Sequence, residues 1–273
     1  MSASTTPFVV SPGAATRDAF GIALRDLGHS EPRIVVVDGD VANSTRTEWF
    51  GQVFPDRFFN VGIAESNMVG VAAGLAASGK IPVVSSFAAF LLCNAYDQLR
   101  MSVAFPHLNV KVVGTHAGIS IGEDGPSQMA IEDFALACSL PGFTVIVPSD
   151  EAHTHAAVRA MIAHEGPVYL RLGRPKAPRI HEAGSSLEIG KAYQLRDGSD
   201  LTIVACGLMT AAALEAHDAL AAKGIHARVL DFPTIRPLDV GNRFAESGTP
   251  EALMETYGLT APHVVEAAVK LVA

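Results

Sequence analysis

The sequence predicts an α/β fold with a mainly parallel sheet, in which a larger N-terminal domain is followed by a smaller α/β domain. Short β-branched runs that are apolar almost throughout alternate with longer alanine-rich stretches of helical periodicity. Glycine-rich turns follow several of these runs, where the crevice loops of such a sheet lie. The 273 residues are 49% hydrophobic and 18% charged, which excludes a disordered chain and suffices for one large or two modest domains.

Five strands and four helices are predicted in the first part of the chain. The strands are expected at residues 33–38, 82–86, 109–114, 143–147 and 167–172, and the helices at 16–27, 65–78, 88–104 and 150–163. Strands that are apolar on both sides need cover on both faces of the sheet, and the predicted helices lie between them as crossover connections. The order along the chain therefore favours a parallel sheet.

A composition change near residue 180 indicates a domain boundary. Residues 174–186 contain two prolines, a glycine, two serines and several charges, which is typical of an interdomain linker. We therefore place a first domain at residues 1–180 and a second at 181–273. The second is expected to contain a strand at 200–206, a helix at 209–223, a strand at 226–231 and two short helices at 250–257 and 262–271.

Charge and cysteine usage exclude several classes of protein. Twenty Lys and Arg against 28 Asp and Glu give a net charge of −8 with no basic stripe, which is unlike a nucleic-acid binder. The longest uncharged run, residues 81–96, is interrupted by polar residues and is too short to span a bilayer. Without a signal-peptide pattern we expect a cytoplasmic protein. We expect buried thiols and no metal site, because no metal or redox spacing relates Cys93, Cys138 and Cys206.

Two short motifs combine residue types that carry chemistry. Glu65 stands where the helix at 65–78 is predicted to begin, so it either interacts with the N-terminal end of the helix dipole or acts as a buried acid. Phe87 and Phe90 are three residues apart at the start of the next helix and therefore lie on one side of it. Core packing explains such a pair as well as a binding wall does.

A long polar loop between a predicted strand and helix is a third candidate. Residues 115–128 include His116, Glu123 and Asp124, which no apolar periodicity explains, and loops of this kind tend to be functional. The glycines of this loop form neither a dinucleotide-binding nor a Walker pattern. Asp38-Gly39-Asp40 weakly resembles a diphosphate–metal motif, but it lacks the second glycine and is better interpreted as a turn.

Together, these motifs resemble the C-terminal half of transketolase, a thiamine-diphosphate enzyme, across residues 14–240. The resemblance implies a thiamine-pyrimidine-binding domain followed by a transketolase C-terminal domain. The residues at 125–129, Gly-Pro-Ser-Gln-Met, are most similar to animal-type transketolases. The stretches that carry the resemblance are residues 15–17, 38–40, 43–45, 55–58, 63–68, 86–90, 122–129, 148–150 and 173–175.

The resemblance assigns roles to individual residues. It implies that Glu65 bonds a ring nitrogen of the aminopyrimidine and takes part in proton transfer, which works best for a partly desolvated acid. Phe87 and Phe90 match the rings that pack on the pyrimidine, and Cys93 replaces an aromatic of that wall. His116 is implied to be catalytic as well as substrate-binding. The residues implied to bind the sugar phosphate or the donor are Arg17, Ser44, His116, Asp124, Gln128 and Arg174.

The resemblance also implies a two-subunit enzyme. The chain matches no part of the family's diphosphate-binding domain, so Mg²⁺ and the diphosphate are expected to be held by a separate subunit, in an α2β2 heterotetramer. The implied reaction transfers a two-carbon ketol unit from a ketose phosphate to an aldose acceptor. The chain alone is then inactive. Near residues 240–242 the C-terminal domain is shortened or gapped, since the family has a few dozen more residues between Asp239 and Asn242.

Three other functions remain open on the sequence. A 2-oxoacid dehydrogenase β subunit also lacks the diphosphate domain but needs no phosphate-binding cations, which disfavours it. A 1-deoxyxylulose-phosphate-synthase-like activity shares the acid and the phosphate site, and product analysis would separate it. A non-catalytic scaffold is disfavoured because Glu65 and the cations are all present.

Overall fold

The structure, a computed structural model, describes residues 7–237. Within that range it contains twelve strands in three sheets. In chain order they are β1 (Pro12–Ala15), β2 (Ile34–Asp38), β3 (Phe58–Asn60), β4 (Ile81–Phe87), β5 (Lys111–Thr115), β6 (Thr144–Ile146), β7 (Val168–Arg171), β8 (Lys176–Pro178), β9 (Tyr193–Arg196), β10 (Leu201–Ala205), β11 (Ala227–Asp231) and β12 (Thr234–Arg236).

The same residues form eight α-helices and several single-turn segments. The helices are α1 (Thr16–Ser30), α2 (Ala42–Thr45), α3 (Glu48–Val53), α4 (Glu65–Ala77), α5 (Tyr96–Gln98), α6 (Asp133–Ser139), α7 (Glu151–Ala163) and α8 (Met209–Ala221). Two π-helical segments, Phe90–Asn94 and Leu99–Ala104, flank α5, and 3₁₀ turns occur at Pro55–Arg57, Ile119–Ile121 and Pro126–Gln128.

The large sheet has seven strands in the order β12-β6-β7-β5-β4-β2-β3. Its pairs are parallel except that β12 runs antiparallel to β6. From β2 the chain moves to β3 on one side and then crosses to β4 on the other. The strand order therefore reverses between β2 and β4, and in such sheets ligands bind at the carboxyl ends beside this switch point.

Both faces of the large sheet are buried, as the apolar strands predict. Ile34 and Val36 of β2 join a cluster with Phe20 and Leu24 of α1 and with Met161 of α7. Because successive strand residues point to opposite faces, the intervening valines of β2, β4 and β5 face the other side, and they are fully or almost fully buried as well. The predicted α/β fold with helices on both faces is confirmed.

Two smaller sheets complete the described part. Strand β10 runs parallel to β11, and β9 pairs antiparallel with the other edge of β11, with α8 packed on them. Strands β1 and β8 form a separate antiparallel ribbon.

The structure contains elements that the sequence did not predict, among them β1, β3, β9, α2, α3 and α6, and it differs in three further segments. The helix predicted at 88–104 is divided into the two π-helical segments and α5. Part of the predicted linker, residues 174–186, forms β8 against β1. Strand β12, from the second predicted domain, adds to the edge of the large sheet. Strands β8 and β12 are three residues long and lie outside any longer apolar run, whereas the equally short β6 lies within a predicted apolar run. The predicted helices at 250–257 and 262–271 lie outside the described residues.

Among residues 7–237, no helix combines the length and the apolar character that crossing a bilayer requires.

Candidate active site

The candidate site lies at the carboxyl ends of β2, β4 and β5, beside the switch point. Register places Asp38 opposite Ser85 and Phe87 opposite Thr115, so the last residues of these strands form one edge. The loop after β3 leads into α4, which begins at Glu65. Parallel strands thus bring together side chains that are far apart in the chain.

Glu65 is a buried acid with one side-chain partner in the part of the chain that the structure describes. Its side chain is 6% exposed, and Ser86 Oγ donates a hydrogen bond to Oε1 at 3.0 Å. Within residues 7–237, Oε2 has no hydrogen-bond partner, so it is available to a ligand. A glutamate that served only the helix dipole would be expected in solvent, so its burial favours the buried-acid interpretation.

Three nearly parallel rings lie next to this acid. Phe87 stacks on Phe90 with centroids 5.4 Å apart and on His116 with centroids 3.9 Å apart, at interplanar angles of 8° and 17°. Phe87 follows Ser86 directly, so the same strand end carries both the hydrogen bond to Glu65 and the central ring of the stack. The two phenylalanines remain half-buried, which leaves aromatic surface for a flat heterocycle.

His116 is neutral and held in one tautomer. Arg17 Nη1 donates to His116 Nε2 at 2.8 Å, because a guanidinium has no acceptor. The ring proton is therefore on Nδ1, which lies 2.9 Å from Thr115 Oγ1. Burial, followed by the positive charges of Arg17 and Arg174, lowers the pKa of His116 to about 4. The residue also has a left-handed φ of 58°, which is uncommon for a non-glycine residue.

Arg17 is at the centre of a group of cations. Its Nη1 also donates to the backbone carbonyl of Ser44 at 3.1 Å, so Ser44 meets Arg17 through its main chain. Burial and the nearby charge of Arg46 lower the pKa of Arg17. Among residues 7–237 its Nε is buried without a hydrogen-bond partner, and Asp18 Oδ1 lies 3.9 Å away. Such an orphaned donor beside other cations suits an anionic ligand.

Arg46 and Asp38 also shape the site, although the sequence did not point to Arg46 and assigned Asp38 only to a turn. Arg46 has a left-handed φ of 68°, and its Nε donates to Asp18 Oδ1 at 2.6 Å. Asp38 is fully buried and accepts hydrogen bonds from the hydroxyls of Thr45 and Thr47 at 2.9 and 2.7 Å. Burial raises the pKa of Asp38 despite these bonds. Asp38 therefore braces the turn that carries Ser44 and Arg46.

Arg174 ties the long polar loop to the site. Its Nη1 donates to Ile121 O and to Glu123 Oε2, both at 2.7 Å, and Asp124 Oδ2 lies 3.7 Å away. The Glu123 side chain is 86% exposed, so its ion pair with Arg174 contributes little free energy. Another anion can therefore replace Glu123 as the partner of Arg174 at little cost. Arg174 therefore lies close to Asp124. Its positive charge also lowers the pKa of His116, as the charges of Arg17 and Arg46 do, so it acts together with those two cations.

Gln128 and Cys93 have local partners. Gln128 Oε1 accepts from Ser127 at 2.7 Å. Cys93 Sγ donates to Glu132 Oε1 at 3.3 Å, and desolvation together with this bond raises the pKa of the thiol to about 11. Cys93 is therefore a neutral thiol and not a nucleophile at neutral pH. The expectation of buried thiols is wrong, since Cys93 is exposed and Cys138 and Cys206 are half-buried.

Comparison with known proteins agrees with this geometry. Residues 13–179 match the family profile "Transketolase, pyrimidine binding domain", and residues 190–242 match "Transketolase, C-terminal domain". The chain belongs to the transketolase family. The resemblance noted in the sequence is confirmed, and the pyrimidine-binding match includes every candidate residue of the site.

Several relatives are similar over most of the chain. A putative transketolase C-terminal section from Methanocaldococcus jannaschii is 44% identical over 82% of this chain and 71% of its own length. A 6-deoxy-6-sulfo-D-fructose transketolase subunit, SqwH, from a Clostridium species is 44% identical over 82% and 69%. Mouse transketolase is 42% identical over 85% of this chain, which spans only 37% of that longer protein.

Solved structures show the same fold. A structure titled "Split gene transketolase, inactive beta4 tetramer" superposes with a TM-score of 0.77 at 42% identity, covering 94% of this chain and 98% of the other. Pichia stipitis transketolase in complex with sedoheptulose 7-phosphate superposes with a TM-score of 0.74 at 25% identity, covering 98% and 47%.

The family implies use of thiamine diphosphate, and the residues present fit the pyrimidine half of that cofactor. A flat, basic heterocycle needs an acid in its plane and aromatic surface on its face. Glu65 has an uncommitted Oε2, and Phe87 and Phe90 present parallel rings. Glu65, Phe87 and Phe90 are therefore the residues that would hold the aminopyrimidine.

Proposed function

We propose that this chain is one subunit of a split transketolase that transfers a two-carbon ketol unit from a ketose phosphate to an aldose acceptor. The observation that carries the proposal is the buried Glu65, bonded by Ser86, beside the parallel rings of Phe87 and Phe90 and the cations around His116. The proposed reaction needs an acid that contacts the cofactor heterocycle and a cationic site that binds the sugar phosphate. Both lie at the same edge of the sheet.

Glu65 and Ser86 control a proton at the cofactor. When bound, thiamine diphosphate supplies a carbon nucleophile and an electron sink for the bond that breaks. Ser86 donates to Oε1, so the carboxyl group is fixed and Oε2 is left to exchange a proton with the pyrimidine nitrogen. Burial to 6% exposure removes competing water from this contact.

Arg17, His116 and Arg174 orient the substrate. Neutral His116 accepts from Arg17, which fixes one amino group of the guanidinium and leaves its other donors for a phosphate oxygen. Arg174 can exchange its exposed partner Glu123 for a second oxygen, and Asp124, next to it, can bond a donor hydroxyl. A sulfonate would satisfy the same donors, and the SqwH similarity supports including sulfonated sugars in a substrate screen.

The proposed enzyme contains a second kind of subunit. Two relatives are named as a subunit and as a split-gene product, and the latter is titled an inactive β4 tetramer. These names support a partner subunit and inactivity of this chain alone. We further propose that the partner holds Mg²⁺ and the diphosphate in an α2β2 assembly. A 2-oxoacid dehydrogenase β subunit is less well supported, because its substrate does not require the Arg17 and Arg174 cations.

We also propose that the domains divide at residues 180–181. The two family matches leave 180–189 between them, close to the predicted boundary, and the C-terminal match ends at 242. The shortening at 240–242 lies outside the described residues and stays a prediction.

Calorimetric titration of thiamine diphosphate with Mg²⁺ tests the split-site proposal. The full chain is titrated alone and then with the diphosphate-binding subunit of the same organism. We expect binding only with the partner, followed by ketol transfer to an aldose phosphate. Tight binding to the isolated chain would contradict the two-subunit site, and binding by the pair without ketol transfer would contradict the reaction.

A further inference from the structure

A second group of ligand-type side chains lies away from the candidate active site. His153 of α7, His181 after β8 and Asp231 at the end of β11 bring three donor atoms within 4.8 Å of one another. His181 Nε2 is 2.8 Å from Asp231 Oδ2, and His153 Nδ1 is 3.4 Å from the same oxygen. The side chains of His153 and Asp231 are at most 1% exposed, so this group is in the interior.

The ring nitrogens of the buried His153 make no hydrogen bond within the described residues, although its backbone N–H donates to Asp150 Oδ1 at 2.9 Å. Neither Nδ1 nor Nε2 has a partner among the residues that the structure describes, and the contact of Nδ1 with Asp231 is not aligned as a hydrogen bond. A buried polar group left without a partner is costly and calls for an explanation such as a bound ion. By contrast, Asp231 is well supported, since Thr210 Oγ1 donates to Oδ1 and Ser149 Oγ to Oδ2, each at 3.0 Å.

The donor set and spacing suit Zn²⁺. Two imidazoles and a carboxylate are common zinc ligands, and ligand atoms about 2.0–2.1 Å from a tetrahedral ion lie about 3.3 Å apart. The two measured separations bracket that value. The rings of His153 and His181 are stacked, with centroids 3.3 Å apart and planes 11° apart, so one must turn about its Cβ–Cγ bond to put its nitrogen lone pair on the ion.

We propose that His153, His181 and Asp231 form a structural zinc site that ties α7, the segment after β8 and strand β11 together. His181 binds as a neutral imidazole: the ring proton that Nε2 shares with Asp231 Oδ2 moves to Nδ1, which leaves the Nε2 lone pair for the metal. The Ser149 and Thr210 hydroxyls hold the carboxylate as second-sphere donors. His181 also lines a cavity of about 590 Å³, from which a water can supply the fourth ligand.

Helix α7 offers a matched control, His155. It lies two residues after His153 and lines the same cavity, but it is not one of the three clustered ligands. Replacing His155 removes an imidazole from the same helix and the same cavity while leaving the proposed ligands in place. His153→Gln and His181→Asn each remove a ligand and keep a polar side chain.

The experiment is a titration of the EDTA-treated full chain with Zn²⁺ alone, with metal content measured after dialysis. We expect one Zn²⁺ per chain, a Tm increase of about 5–10 °C at a hundredfold excess over Kd, and strong visible bands of tetrahedral Co²⁺ when cobalt replaces zinc. The His155→Ala variant should behave identically. His153→Gln and His181→Asn should bind roughly a hundredfold more weakly.

Two results would overturn the zinc site. One is a wild-type chain that retains no zinc and gives no tetrahedral cobalt spectrum, which would mean that the histidines are stacked around a shared proton. The other is an equal loss of metal in His155→Ala and His153→Gln, which would place the ion elsewhere. If the ligand variants do not fold, the wild-type chain alone tests the proposal. One Zn²⁺ per chain with a tetrahedral cobalt spectrum supports the site, and the absence of either contradicts it.

Discussion

At the scale of single residues, His116, which we propose binds the substrate, shows how an imidazole can lie against a guanidinium. Its Nε2 must keep a lone pair to accept from Arg17, so the ring has to stay neutral. Burial to 2% exposure and the surrounding cations ensure this by lowering its pKa to about 4. Nδ1–H donates a hydrogen bond to Thr115 Oγ1, which fixes the tautomer.

This lowered pKa predicts a pH-dependent stability. Between pH 6.5 and 4 the unfolded chain binds a proton at His116 that the folded chain does not, so stability falls as pH falls through that window and is complete above it. Between pH 7.5 and pH 4.5, we expect the free energy of unfolding of the wild type to fall by about 2–3 kcal/mol more than that of His116→Gln. Urea unfolding of both proteins at the two pH values measures this, and equal losses would contradict it.

Glu65 provides the second residue-scale prediction. The Glu65→Gln change keeps the shape but removes the exchangeable proton, so kcat of the assembled enzyme should fall about 10²–10⁴-fold. The matched control is Glu151→Gln, since both acids are the first residue of a 13-residue helix.

Steady-state kinetics and thermal unfolding of both variants separate catalysis from the helix-dipole effect. Each substitution should cost only about 0.3–1 kcal/mol of stability. Equal kcat values for Glu65→Gln and wild type would show that the acid only stabilises the helix.

At the scale of elements, α1 is placed by close contact with the turn that follows α2. A Cβ at Gly21 would lie 2.5 Å from Arg46 Cβ and 2.6 Å from the Trp49 ring, so only glycine allows this approach. Arg17 is on the same helix, one turn earlier. The contact at Gly21 therefore sets the distance between the Arg17 and Arg46 cations.

We predict opposite effects for two glycine-to-alanine changes in helices. Gly21→Ala should destabilise the chain by about 1–3 kcal/mol through overpacking. Gly70→Ala in α4, where a Cβ would meet nothing within 4 Å, should stabilise it by about 1 kcal/mol through helix propensity. Urea unfolding of the full chain measures both, and a stabilising Gly21→Ala would contradict the packing argument.

At the scale of the whole molecule, a net charge of −8 repels an anionic substrate. The site counters this field locally, since Arg17, Arg46 and Arg174 all act on His116. Asp18 and Glu123 partly neutralise two of these cations at their more exposed ends. Attraction of a phosphate therefore depends on a few buried or half-buried charges.

This charge distribution predicts a selective effect on binding. Arg17→Ala should raise KM for a phosphorylated donor about 10–100-fold, the equivalent of a lost charge-assisted hydrogen bond, with little change for a donor without phosphate. Arg25→Ala, on the same helix but paired with the exposed Asp26, is the control and should change neither. Equal increases of KM for both donors would place Arg17 outside the phosphate site.

Much of this molecule was predictable because its signals are local. The apolar runs of β2, β4 and β5 give a parallel sheet, and Glu65 and the ring pair are recognisable within short motifs. Arg46 could have been suspected only from its place two residues after Ser44. The π-helical segments lie within the helix predicted at 88–104, and no apolar period distinguished them from an α-helix. The three-residue strands β3, β8 and β12 lie outside any longer apolar run that would mark them, unlike the equally short β6.

The sequence by itself determined the fold class and the family, and it singled out the acid and the ring pair that we propose for the site, because each depends on residues close together in the chain. Only the tertiary structure decided that Arg17 meets His116, that this imidazole is neutral, and that His153, His181 and Asp231 share one buried space. These contacts join residues 28 to 99 positions apart, which crossovers and strand order bring together. No local period in a sequence encodes such distances.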